Sequence, residues 1–133
     1  MNPFQQIFTP PAVAPTQTAF DALQAQADTE YTVLRSAVAF SKGRASVLRV
    51  IVAGQMASVN LQPDNSQAAS DLTNASAALN EERRISDVLQ SFGGTVRNWL
   101  ANAEQDLRLS IAVAPFPSRP ADIAAYIAAI PQS

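Results

Sequence analysis

The sequence predicts an α+β fold, an antiparallel β-meander packed with a long helical unit, and three observations carry that expectation. Residues 31–40 and 45–53 are dense in Val, Leu, Ile, Thr and Tyr and flank Ser41-Lys42-Gly43, the composition of two strands joined by a glycine-closed turn. Residues 66–92 are rich in Ala and place Leu72, Ala75, Leu79, Ile85, Val88, Leu89 and Phe92 on one stripe, the period of an amphipathic helix. Residues 107–113 alternate Leu107, Leu109, Ile111 and Val113 with Arg108, Ser110 and Ala112, the period of a strand. A chain of 133 residues is expected to be a single domain, 1–133. Much of its 47% apolar content is Ala, which buries little area per residue, so an obligate dimer or higher assembly is expected to complete the core.

The elements follow in order. Residues 1–18 carry Pro3, Pro10, Pro11 and Pro15 among Gln, Thr and apolar side chains, which disfavours a helix and suits an extended arm. Residues 18–28 fit a short helix through Phe20, Leu23 and Ala27, or a strand and loop. The meander occupies 31–62, with a second turn near Gly54-Gln55 and a stop at Pro63-Asp64. In its register Phe40 faces Arg44 and Arg35 faces Arg49, which puts Leu34, Val38, Phe40, Leu48, Val50 and Val52 on one face and Arg35 and Arg49 on the other. A helical reading competes, because Val47, Leu48, Ile51, Val52, Met56 and Val59 also fit a period of 3.6; the β-branched density and the Lys42-Gly43 turn favour strands. Asp64, Asn65 and Ser66 are helix-starting residues for a helical unit over 66–104, which Gly93-Gly94 is expected to end or kink before Thr95 caps a second helix. A strand over 107–114 stops at Pro115 and Pro117, and Pro120 opens a closing helix over 120–130.

The composition excludes several chemistries. With no Cys and no His, the chain has no disulfide, no thiolate nucleophile and none of the usual imidazole bases or metal ligands, so neither an enzyme nor a metal or cofactor is expected. The acid pairs Glu104 with Asp106 and Asp28 with Glu30 lack the context of a catalytic or metal site. Gly93-Gly94 lacks the Lys and Ser/Thr of a phosphate loop. No apolar run of 18 residues and no basic leader followed by an apolar stretch is present, so no membrane span or signal peptide is expected.

Charge patterning is more informative. Between Tyr31 and Pro63 lie Arg35, Lys42, Arg44 and Arg49 and no acid, inside a chain of net charge −2. Opposed arginines on a sheet face repel unless an anion lies between them, and phosphate fits the guanidinium fork. The four basic residues are therefore the candidate RNA-binding set, although a solvated face that resists edge pairing explains the same residues. Glu81, Glu82, Arg83 and Arg84 splay around a helix and read as a solvated face or a salt bridge to another subunit. Phe4, Phe8, Phe92 and Trp99 are the candidate subunit-interface anchors.

The stretch Tyr-Thr-Val-Leu-Arg-Ser-Ala-Val-Ala-Phe-Ser-Lys-Gly-Arg-Ala-Ser-Val-Leu-Arg-Val-Ile-Val, residues 31–52, resembles the central hairpin of single-stranded RNA bacteriophage coat proteins. The resemblance covers about a sixth of the chain. It implies a capsid protein that self-assembles from homodimers in the host cytoplasm into a virion around single-stranded RNA, with Arg35, Lys42, Arg44 and Arg49 facing the genome. That family places its helices after its last strand, whereas here 66–104 precedes the strand expected at 107–113. A rod-forming plant-virus coat is a second viral reading, through Arg83-Arg84-Ile85-Ser86-Asp87. The alternatives are a small dimeric DNA-binding protein of the bacterial nucleoid, similar to the YbaB-like family, and a secretion chaperone or other interaction module.

Overall fold

The computed structural model describes residues 14–131, and among them every regular element is a helix: α1, Gln17–Leu61; α2, Ser66–Arg108; and α3, Ala121–Ala129. The expected meander over 31–62 and strand over 107–114 are absent, so the α+β expectation is overturned. With no sheet, the likeness to RNA-phage coat proteins falls as well. Phe4, Phe8 and residues 1–13 of the expected arm lie outside the described residues; helix begins already at Gln17.

Local chemistry sets the helix ends. The Ala19 amide donates to the Thr16 hydroxyl at 3.1 Å, an N-cap for α1. Asn65 Oδ1 accepts from the amides of Gln67 at 3.0 Å and Ala68 at 3.3 Å, capping α2 where the sequence placed its start. The turn between them closes with the Asn65 amide on the Gln62 carbonyl, and Pro63 bars continuation of α1. α2 ends in a Schellman motif, in which the Ser110 amide reaches the Leu107 carbonyl and the Ile111 amide reaches that of Asp106. Ser110 holds the left-handed position with φ 56°, a place glycine usually fills.

Those caps explain two corrections. Leu107 is the last buried residue of α2 and fully covered, while Leu109 and Ile111 are more than half exposed, so the alternation at 107–113 has no sheet behind it. Gly93-Gly94 neither ends nor caps a helix: α2 runs through both, because Leu89, Phe92 and Val96 are buried on either side and outweigh a propensity cost of about 1 kcal/mol per glycine.

The described chain divides into two compact units. In the first, residues 14–33 and Phe92–Arg119, the core is Ala27 on α1 with Phe92, Val96, Trp99, Ala103 and Leu107 on α2. The extended segment after α2 is fastened twice. The Trp99 indole N–H donates to the Ala114 carbonyl at 3.0 Å and its ring meets Phe116 edge-on at 4.8 Å. Arg119 grips the buried Glu30 with two hydrogen bonds of 2.7 and 2.6 Å. Phe92 and Trp99, expected at a subunit interface, are thus buried within their own chain.

In the second unit, Leu34–Ser91 with residues 120–131, the two long helices form a hairpin through the turn at 62–65. Leu34, Ala37, Ser41 and Ala45 are buried on α1, as are Leu79, Glu82, Ile85 and Leu89 on α2, and Ile123 of α3 is fully covered. These positions recur every three or four residues, the packing period of paired helices. The step Ala37–Ser41–Ala45 repeats four twice, a stutter that locally relaxes a heptad pattern. The segment that read as a basic hairpin is therefore the middle of one helix: Phe40 and Arg44 do meet, but as neighbours four residues apart, with the guanidinium 5.8 Å from the ring centroid. Arg35 and Arg49 lie about 21 Å apart along the axis instead of across a ladder.

Candidate functional site

All four basic residues singled out from the sequence lie on α1 within the second unit, and the helix sorts them into two groups. Arg35, Lys42 and Arg49 are spaced by seven residues and fall on one exposed line. Arg44 points elsewhere. It lies over Phe40 and 3.8 Å from the carboxylate of Glu82, which is nearly enclosed. Lys42 and Arg49 share a groove of about 480 Å³ with Arg83 of α2, a residue that the sequence reading left on a solvated face. Arg35, Lys42 and Arg83 form no ion pair among the described residues.

Beneath that line sits a polar cluster that fixes α3. The Ser41 hydroxyl donates to the Glu82 carbonyl at 3.1 Å, and the Tyr126 hydroxyl donates to the Glu82 carboxylate. Phe40 and Tyr126 meet edge-on at 6.2 Å. Burial, and then the hydrogen bond to Glu82, push the Tyr126 phenol up to about 12; Ser41 and Arg44 oppose the shift. Arg84 reinforces the attachment through bonds to Glu81 on its own helix and to Asp122 at 2.7 Å on α3. Hydrogen bonding to Arg84 lowers both carboxyls.

The raised phenol gives a pH prediction. Its folded value, about 12, lies above its ordinary value of 10, so the contribution is complete below pH 10 and is lost as pH climbs toward 12. Alkaline titration followed by circular dichroism is expected to show wild-type stability falling through that window. Tyr126→Phe should start lower by about 1–3 kcal/mol, the usual effect of leaving a buried partner without its donor, and should decline less across the same window.

A second surface on α1 was not legible as such. Val47, Val50, Gly54, Ala57 and Leu61 repeat with spacings of three and four, parallel to the inward-facing line of Ala45, Leu48, Val52, Gln55 and Val59 but offset by two residues. Val50 is 73% exposed and Leu61 83%, with Val47, Ile51 and Met56 between 43% and 60%. A Cβ on Gly54 meets nothing within 4 Å among the described residues, so no contact among them requires a glycine there. Of its five positions only Val47 belongs to the competing helical period of the sequence.

Among the described residues no group of three or more Asp, Glu, His or Cys side chains is placed to hold a metal ion, and no described helix is long and apolar enough to cross a membrane. These features define a class: an all-helical protein whose long helices pair through an apolar core punctuated by polar contacts and carry a second apolar seam. Against protein-family models, curated proteins and solved structures, no match to this chain was found. The RNA-phage resemblance therefore has neither a sheet nor a family match behind it.

Proposed function

We propose that the chain is a structural, self-assembling subunit that associates with further copies of itself through the seam Val47–Val50–Gly54–Ala57–Leu61. The observation that carries this reading is a heptad-spaced row of exposed apolar positions, with Val47, Val50 and Leu61 as its large side chains, on the side of α1 away from the paired face. A helix with two such rows, offset by two residues, is patterned to contact two neighbours, and the hairpin supplies one. Contiguous exposed apolar area of this kind marks an association surface.

The magnitude sets the expected strength. Burying the three large side chains of the seam, Val47, Val50 and Leu61, from each of two copies returns roughly 1 kcal/mol apiece at the exposure they keep, about 6 kcal/mol for a symmetric pair. That figure lies inside the range of about 4–15 kcal/mol that association costs, so the seam supports concentration-dependent assembly and not a permanent complex. Sedimentation velocity is expected to show the average mass rising across a concentration series from micromolar to millimolar protein. A monomer unchanged up to millimolar protein contradicts the proposal.

A further inference from the structure

We propose that the groove holding Lys42, Arg49 and Arg83 binds the phosphodiester backbone of single-stranded nucleic acid. Two of these cations come from α1 and one from α2, and the hydroxyls of Ser46 and Ser86 line the same walls. Arg49 Nη2 donates to the Ser46 hydroxyl oxygen at 3.0 Å, which leaves the hydroxyl proton of Ser46 to donate to an anion. Two acids also line the groove. Glu82 is engaged by Tyr126 and faced by Arg44, so Asp87 alone stands against three cations.

Spacing suits a polymer that runs along the helix. Lys42 and Arg49 are one heptad apart, about 10.5 Å along the axis, so a strand lying along the groove meets them in turn. That interval is close to three steps of a stacked strand at about 3.4 Å each, and Arg35 continues the line by the same step beyond the groove. The guanidinium forks of Arg49 and Arg83 suit bidentate phosphate contact and Lys42 supplies a point charge. A recess between two helices admits a strand, whereas a flat lipid surface meets only the ridge. The site differs from the basic set expected from sequence: Arg83 joins it, and Arg35 and Arg44 leave it. It does not depend on the apolar seam.

The test is fluorescence anisotropy of the full-length chain with a labelled single-stranded RNA of mixed sequence, over a range of salt. Three phosphate contacts predict a slope of about −2 in log affinity against log salt. The variant K42Q/R49Q/R83Q should bind at least about tenfold more weakly with a nearly flat slope, while R97Q, which removes an exposed cation of the other unit, should bind like wild type. D87N should tighten binding more than D64N, although both change net charge equally. Circular dichroism on each variant confirms that the helices persist. Wild-type-like binding by the triple variant, equal effects of D87N and D64N, or binding of wild type to phosphatidylserine vesicles but not to RNA would each overturn the proposal.

Discussion

Arg119→Ala is expected to lower the stability of the unit formed by residues 14–33 and Phe92–Arg119 by about 2–3 kcal/mol. The reason is the partner it leaves behind. Glu30 is 7% exposed and receives both of its hydrogen bonds of 2.6–2.7 Å from the one guanidinium. Removing one member of a buried pair typically costs about 3–5 kcal/mol because an uncompensated charge remains; the Arg119 side chain is one-third exposed, which moves the expectation to the lower end. The same hydrogen bonds raise the Arg119 pKa, so the guanidinium keeps its charge. Because the penalty belongs to the orphaned carboxylate, it should largely disappear when Glu30 is removed too. In urea unfolding, the double variant Glu30→Ala/Arg119→Ala is expected to recover well over 1 kcal/mol relative to the sum of Glu30→Ala and Arg119→Ala. Strict additivity would show that the two side chains act independently. Limited proteolysis adds a local readout, since Arg119 and the Trp99 contacts fasten the segment after α2, and Arg119→Ala should expose it to cleavage before the helices unfold.

Glu30 also explains why α1 was misread. Its buried positions, Ala27, Glu30, Leu34, Ala37, Ser41 and Ala45, keep helical spacing, but two of the six are polar, which breaks the apolar stripe that a period search looks for. Those two are tolerated because of partners distant in sequence: Arg119 for Glu30 and the Glu82 carbonyl for Ser41. No local window contains them. What remained locally was a dense set of Val, Ile and Tyr and a Lys-Gly pair, and these favour a hairpin on propensity alone. Tertiary burial overrode that preference.

Where the signal was local, it was readable. The stop at Pro63, the Asn65 cap, the stripe through Leu79, Leu89 and Phe92, and the closing helix after Pro120 depend on neighbours within a turn or two. The end of α2 was not readable, because its left-handed residue is Ser110 and not glycine. For the candidate groove, Lys42 and Arg49 were legible as basic residues, and their shared face followed once the segment was known to be helical. Arg83 required the pairing of α1 with α2.

The seam on α1 gives the other large expected effect. Val50→Glu should leave the monomer intact, because Val50 is 73% exposed and Glu is a better helix former than Val. In an assembly the new carboxylate lies in the middle of the seam, where it must shed water without a partner and meets its own copy at a symmetric contact. Association is expected to weaken at least a hundredfold, about 2.7 kcal/mol, with the mass by sedimentation falling to that of the monomer and the far-ultraviolet dichroism unchanged. Gly54→Ala separates the seam from a general surface effect. Its Cβ meets nothing within 4 Å among the described residues, so the monomer should gain up to about 1 kcal/mol from helix propensity alone. A partner helix lying close over Gly54 would meet that methyl group, so the same change should loosen the assembly. Opposite signs in unfolding and association are the signature of a partner seated on the seam; if Gly54→Ala raises stability and leaves the assembly untouched, the partner does not sit there.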